Sequence, residues 1–226
     1  MLALIFDFNG TMFFDEKFQE MSWREFIQNR IGREITKKEF EEYIHGRNAD
    51  FTMQYFFKKS FSRDEIWTLE EEKESIYREL CLKSPAFCLA KGLPEFLDEL
   101  TAQKVPFTIA TASGCTNVKF FFKYLGLDKW FDMDKVVYND GTLAGKPEPD
   151  FYLRAAEKLK AEIGSCIVFE DSQSGIEAAR RAKAGGIIKV VSMRDSKADE
   201  TLTGCIHDYT DRGLRTYFRY LFSCKF

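Results

Sequence analysis

Six positions, grouped on four short stretches, combine residue types that could do chemistry together. Asp7 follows an uninterrupted apolar run, Leu2 to Phe6. Thr111 and Ser113 follow a second short apolar run, Lys146 stands in a Gly-Lys-Pro-Glu-Pro-Asp segment over 145–150, and Glu170-Asp171 follow a further apolar run. Two carboxylates on neighbouring strand ends, Asp7 and Asp171, make a hard oxygen site of the kind that takes Mg²⁺. Hydroxyls at a helix N-terminus, joined by backbone N–H groups and the helix dipole, make a ready anion site. A lysine beside them neutralises an incoming oxyanion. A carboxylate nucleophile, a divalent metal, a lysine and a hydroxyl donor together describe phosphoryl transfer through an aspartyl phosphate. Metal and lysine offset the repulsion between the carboxylate and a phosphate dianion.

Such groups need elements that bring them to one place. Short apolar runs bounded by turns predict strands buried on both faces, at Leu2–Phe6, Val105–Ala110, Ser165–Phe169 and Ile187–Val191, with a further short strand at Lys135–Tyr138. Between and after them, helical periodicity is read over Leu93–Gln103, Cys115–Leu125, Pro149–Ala161, Ser174–Lys183 and Arg212–Phe222. Strands alternating with helices predict an α/β fold, a doubly wound parallel sheet, in which ligands bind beyond the carboxyl ends of the strands. All four polar stretches fall at such ends. A single strand-end acid is an ordinary turn cap; four such loops on one edge are hard to explain by packing.

From Asp15 to about Leu82 the chain changes character, becoming charged, free of proline and periodic at 3.6 residues. Phe18, Met21, Trp23, Phe26 and Ile27 recur at helical spacing, as do Phe40, Tyr43 and Ile44, and Ser62 to Glu65 has capping-box spacing. This predicts a four-helix insert, residues 15–85, in a core formed by 1–14 and 86–226.

Composition narrows the function classes. The net charge of −3, without a long single-sign block, favours neither nucleic acid nor a polybasic membrane contact. No window approaches a membrane-spanning length of apolar residues, and the N-terminal apolar run is too short for a signal peptide. The six cysteines form no metal-like or CxxC spacing, which reads as reduced thiols in a cytoplasmic protein. Phe is used 23 times, a sign of thick aromatic packing.

The four stretches resemble, in order and spacing, the four motifs of the haloacid dehalogenase (HAD) superfamily. In its phosphatase and mutase members, motif one is Asp-x-Asp-Gly-Thr after a buried strand, motif two a Ser or Thr, motif three a Lys and motif four paired acids. Glu170-Asp171-Ser172-Gln173-Ser174-Gly175-Ile176 is similar to motif four, and the helical insert, with Ser22-Trp23-Arg24 in its first helix, is similar to the cap of the β-phosphoglucomutase-like branch. The resemblance covers nearly the whole chain. It implies Asp7 as nucleophile and Mg²⁺ ligand, the residue-9 carbonyl and Asp171 as further ligands, and Glu170 as a ligand or an acceptor behind them. It implies Thr111, the Ala112 N–H, Ser113 and Lys146 around the phosphoryl oxygens. A helical cap implies a small substrate, a phosphorylated metabolite such as a sugar phosphate. Dehalogenation, the other chemistry on this fold, does not use Mg²⁺, and both Asp171 and Glu170 are kept here.

Position 9 departs from the pattern. The family's second motif-one Asp transfers protons; this chain has Asn9, and an amide orients a leaving group without giving up a proton. A metal site using the residue-9 carbonyl survives the change. Gln19 stands where relatives often carry a His facing that acid. Three readings stay open: a replacement made to trap an intermediate, a natural residue with the proton supplied elsewhere (Glu16 or a cap residue), or a shift to phosphorylated-ligand binding. Gln19 favours a natural sequence, since a single deliberate change leaves the His in place.

Other residues weigh less. Arg47, in His45-Gly46-Arg47-Asn48, could clamp a second phosphate or a sugar hydroxyl, or simply follow a helix C-cap. Lys73 could approach a substrate. Cys115 lacks a base partner and reads as packing, as does Phe120-Phe121-Phe122; His207 reads as structural and Glu70-Glu71-Glu72 as a solvated helix face.

Overall fold

The computed structural model describes residues 1–44, 47, 49–191 and 201–223, with residues 222 and 223 described by backbone only. The chain divides into two compact units, Met1–Phe14 with Cys88–Phe226, and Asp15–Phe87.

The first unit is built on six parallel strands in the order β3-β2-β1-β4-β5-β6. They are β1 Ala3–Phe6, β2 Phe107–Gly114, β3 Val137–Asn139, β4 Cys166–Glu170, β5 Gly186–Val190 and β6 Gly204–Ile206. β1 lies at the centre, pairing Leu4 with Phe107 on one side and with Ile167 on the other. All four of its residues are buried, which is why its sequence is apolar without alternation. Helices α5 Leu93–Ala102, α6 Cys115–Leu125, α7 Asp150–Leu159, α8 Gln173–Arg181 and α9 Arg212–Ser223 belong to the same unit.

The two faces of β1 are packed differently. Ala3 and Ile5 join a core that mixes alanines, Ala155 and Ala156 of α7 and Ala178 and Ala179 of α8, with the larger Phe151, Tyr152 and Ile176. Phe6, pointing the other way, stacks on Phe169 at 4.7 Å and meets Phe96 and Tyr209 edge-on or tilted. Phe96 in turn packs on Phe218 of α9 at 5.1 Å. Part of the high Phe content thus forms one aromatic layer on this face, while alanines of α7 and α8 lie on the other. The Phe120–Phe122 run packs as expected, with Phe121 stacked on Phe8 at 4.2 Å.

Two expectations change. The second strand does not stop at Ala110 but continues to Gly114, because Gly114 pairs with Asn139 of β3 after an irregularity in the register. The edge strand β6, only three residues long, has no hydrophobic run to announce it.

Among its described residues the second unit contains four helices, α1 Glu16–Ile31, α2 Lys37–Tyr43, α3 Ala49–Phe57 and α4 Arg63–Leu82. Capping boxes open α2 (Thr36 with Glu39) and α4 (Ser62 with Glu65). Trp23, Phe26, Ile27, Phe40, Met53, Phe56 and Leu69 form its core. Met21, read from the sequence as part of the buried stripe, is 40% exposed. At about 100° per residue it falls on the side away from Trp23 and Phe26, and Ser22 takes an inward position instead. The Glu70–Glu72 run is not simply solvated: Glu71 pairs with Arg78 and Glu72 with Arg30. No helix among the described residues is long and apolar enough to cross a membrane.

Candidate active site

Asp7 is the first residue past β1, and its N–H still donates to Phe169 O at 2.9 Å, so the strand ladder fixes its backbone. The chain then turns at once, with the Met12 N–H on Phe8 O and the Gly10 N–H on Phe13 O, both at 2.8 Å. Gly10 sits at φ +77, and a Cβ there would lie 2.1 Å from Asp171 Oδ2. A glycine is required both by the backbone angle and by the carboxylate pressed against it. Asp171 also accepts from Thr11 Oγ1 at 3.3 Å.

β4 ends on Glu170, and α8 begins three residues later with Ser172 as its N-cap, accepting the Gly175 N–H at 3.1 Å. The turn holds Glu170 tightly: its Oε2 accepts the Ser172 N–H at 2.7 Å and the Ser172 hydroxyl at 3.1 Å. A Cβ on Gly175 would stand 1.5 Å from Glu170 Oε1, so the helix can approach this carboxylate only without a side chain at that position.

Lys146 reaches both buried acids. Its Nζ donates to Asp7 Oδ1 at 2.5 Å and to Glu170 Oε1 at 2.7 Å, and its side chain is 7% exposed. Burial alone lowers an ammonium's pKa, but the charges of Asp7 and Glu170 outweigh it and hold the Lys146 value well above the ordinary one. Burial opposes ionisation of Glu170 too, yet the Lys146 charge and hydrogen bond keep it below the usual carboxylate range. Asp171 is the opposite case. Burial, then the negative charges of Glu170 and Asp7, push it well above its ordinary value. One oxygen from each of Asp7, Glu170 and Asp171 lies within 4.8 Å of the others. Three carboxylates against one lysine leave an excess of negative charge, and an all-oxygen donor set of this kind suits a hard divalent cation.

On the neighbouring strand end, Thr111 is buried, Ala112 exposed and Ser113 half-buried. Thr111 Oγ1 accepts the Ser113 N–H at 3.1 Å, which leaves its own proton to donate. The Ser113 hydroxyl donates to Asn9 Oδ1 at 2.8 Å, so the amide of Asn9 is oriented with its oxygen toward Ser113. Ser113 and Gly114 lead directly into α6, whose N-terminus begins at Cys115. The fold therefore places two linked groups in one unit, Asp7, Lys146, Glu170 and Asp171 in one and Asn9, Thr111 and Ser113 in the other, with Asp7 and Asn9 two residues apart in the chain.

The remaining expected residues lie in the helical unit. Arg47 is exposed, donates to Glu42 O at 3.2 Å and stands over the Phe51 ring; His45, Gly46 and Asn48 lie outside the described residues. Gln19 donates to Asp15 Oδ2 at 3.0 Å and accepts from Lys73 Nζ at 2.9 Å. Lys73 is buried and also pairs with Glu74.

Tyr152 escaped the sequence reading. Fully buried on α7, it donates its hydroxyl to Glu170 Oε1 at 3.1 Å. It lies in the apolar stripe of its helix, where an aromatic residue reads as core. The only signal was its place just after the Lys146 segment.

With the geometry in hand, comparison with known proteins agrees. Residues 1–183 match the model of the haloacid dehalogenase-like hydrolase family, and the chain belongs to that family. Among curated proteins it is 29% identical over 207 residues to a phosphorylated carbohydrates phosphatase of Thermotoga maritima, covering 88% of this chain and 89% of that one. It is 23% identical over 216 residues to a β-phosphoglucomutase of Mycobacterium tuberculosis, covering 84% and 80%. Among solved structures, a HAD hydrolase, family IA, variant 3, from Entamoeba histolytica superposes with a TM-score of 0.88 at 35% identity, covering 95% of this chain and 97% of that one.

Proposed function

We propose that this chain is a Mg²⁺-dependent phosphohydrolase acting on a small phosphorylated metabolite such as a sugar phosphate, through an aspartyl phosphate on Asp7. The observation that carries the reading is the Asp7–Lys146–Glu170 cluster beside the charge-crowded Asp171. The likeness to a phosphorylated carbohydrates phosphatase supports the substrate class.

Asp7, Asp171 and the Asn9 carbonyl would hold Mg²⁺. Glu170 already receives Lys146, Tyr152 and Ser172, so it fits better as the anchor of Lys146 than as a direct ligand. Bound Mg²⁺ supplies Lewis-acid polarisation of the phosphoryl oxygens. The Asp7 carboxylate attacks phosphorus, the bond to the leaving oxygen breaks, and the phosphoryl group is carried on Asp7. Lys146, Thr111 and the Ala112 N–H neutralise and orient its oxygens. Water then attacks the acyl phosphate and returns the Asp7 carboxylate. A phosphomutase would share the first half of this sequence.

Neither proton transfer can come from Asn9. Its amide orients the leaving oxygen, and the absence of a positioned acid costs about 10²–10⁴-fold in rate. The Ser113–Asn9 hydrogen bond gives the second reading its footing: a catalytically impaired relative that binds a phosphorylated ligand. Phosphate release from a panel of sugar phosphates and p-nitrophenyl phosphate, with and without Mg²⁺, tests both for this chain and for Asn9→Asp. We expect slow Mg²⁺-dependent release and an increase of about 10²-fold or more in Asn9→Asp. Ordinary turnover by the unaltered chain, with no gain in the variant, overturns the role given to position 9. No release by either protein, with Asp7 never labelled, leaves ligand binding.

A further inference from the structure

The apolar stripe of α7 is Phe151, Tyr152, Ala155, Ala156 and Leu159, all buried. Four of these are pure hydrocarbon. Packing alone asks nothing more of position 152, and a buried phenol without a partner costs free energy. Tyr152 has two partners. Its hydroxyl donates to Glu170 Oε1 at 3.1 Å, the same oxygen that receives Lys146 Nζ at 2.7 Å. Its ring lies 5.0 Å from the Lys146 ammonium, within cation–π range. The ammonium is therefore met by Asp7 Oδ1, by Glu170 Oε1 and by the Tyr152 ring. Burial and the neighbouring Glu170 charge push the phenol's pKa well up, so it stays a donor.

The geometry points to Tyr152 as a positioning residue: its hydroxyl pins Glu170, and hydroxyl and ring together hold the Lys146 ammonium against Asp7. Tyr152 touches neither Asp7 nor a phosphoryl group in this role. Without the hydroxyl, Glu170 Oε1 loses one of its donors, and although Ser172 still holds Oε2, the anchor that Oε1 gives Lys146 loosens. The inference deepens the proposed function and rests on it for its kinetic readout alone.

Two readouts test it. The first is the NMR signal of the lysine side-chain ¹⁵NH₃⁺ groups in the full chain, where an ammonium held in buried hydrogen bonds exchanges slowly enough to be seen; Lys146→Arg assigns the peak. The second is kcat and KM for the best substrate of the panel with Mg²⁺. In Tyr152→Phe the Lys146 peak is expected to broaden or vanish and kcat to fall about tenfold, with KM nearly unchanged and the melting temperature close to that of the parent. Tyr152→Leu, lacking the ring as well, falls further. Phe151→Leu, equally buried on the same helix, should lower the melting temperature while leaving peak and kcat in place. A Lys146 peak that persists in Tyr152→Phe with kcat unchanged reduces Tyr152 to packing and overturns the inference, as does a parent protein in which the Lys146 peak cannot be seen. If no variant releases phosphate, the failure falls on the proposed function, and the ammonium signal still decides the role of Tyr152.

Discussion

Lys146 and Lys73 are both buried, both lie beside a tyrosine ring and both pair with a glutamate. Their surroundings differ in kind. Lys73 belongs to a brace between two helices: it donates to Gln19 of α1 and pairs with Glu74 next to it on α4, while Asp15 accepts from Gln19 and from Tyr77 at 2.8 Å. Gln19 lies in the middle of the inward stripe of α1, so its amide bridges the lysine and the aspartate with both ends used. Lys146 instead sits among strand ends that come from distant parts of the sequence, facing two carboxylates with a third, Asp171, close by. A network of neutral donors around an acid is what stability alone selects. Like charges crowded at the end of a rigid sheet oppose stability, and such an arrangement marks a site built for a ligand that relieves it.

The comparison breaks most sharply on the lysines themselves. Lys146→Met leaves Asp7 and Glu170 buried without their cation and should cost about 3–5 kcal/mol of stability, with phosphate release reduced at least about hundredfold. Lys73→Met keeps an apolar stem of similar length but loses the ammonium over the Trp23 ring, and the half-buried Glu74 can turn to water, so the loss should be about 1 kcal/mol. Urea unfolding of the two variants measures both; equal losses would erase the distinction drawn here.

A smaller effect concerns Asp171. Its value in the fold is raised above the ordinary 3.8, so the metal-free fold holds a proton there more tightly than the unfolded chain does. That contribution favours folding below the ordinary value and is lost as pH rises through the folded one. Once ionised, Asp171 therefore weakens the metal-free fold. Asp171→Asn should raise the melting temperature in chelator by about 2–5 °C and remove the upward shift that Mg²⁺ gives the parent. A variant that melts lower in chelator would mean that the carboxylates are not in conflict.

The smallest effect sharpens the view of the helical unit as held by satisfied charges. Glu39, in the capping box of α2, is brought down to about 2 by the Arg33 hydrogen bond and the Thr36 N–H. A lowered value stabilises the fold above the unfolded group's ordinary 4.5 and is lost as pH falls toward the folded value. Glu39→Gln should cost about 1 kcal/mol at pH 7, a difference that shrinks by about half by pH 3 in urea titrations.

Much of this was legible locally. The apolar runs of β1, β4 and β5 announce central strands because burial on both faces removes alternation. Ser62 and Glu65 announce the start of α4 because both capping hydrogen bonds lie within one turn of chain. The site acids were legible because each follows such a run. Illegible features depend on what lies across space. β2 extends past Ala110 only because β3 offers Asn139 to Gly114, and Met21 turns outward because the helix period, not its apolarity, sets its direction. Tyr152 looked like core, since nothing near it in the chain says that Glu170 will arrive at its hydroxyl.

The sequence by itself determined the residue types: a carboxylate after the first strand, a lysine, paired acids and hydroxyls at strand ends, and an amide at position 9 that carries no transferable proton. These are properties of single side chains and of periodicities within one element. Only the tertiary structure decided which acid the lysine serves, which acid is left in excess, how the Asn9 amide is turned and that Tyr152 joins the cluster. Each of these depends on distances between strand ends far apart in sequence, and such distances are set by sheet register and by how closely the turn at Gly10 and the helix at Gly175 approach a carboxylate.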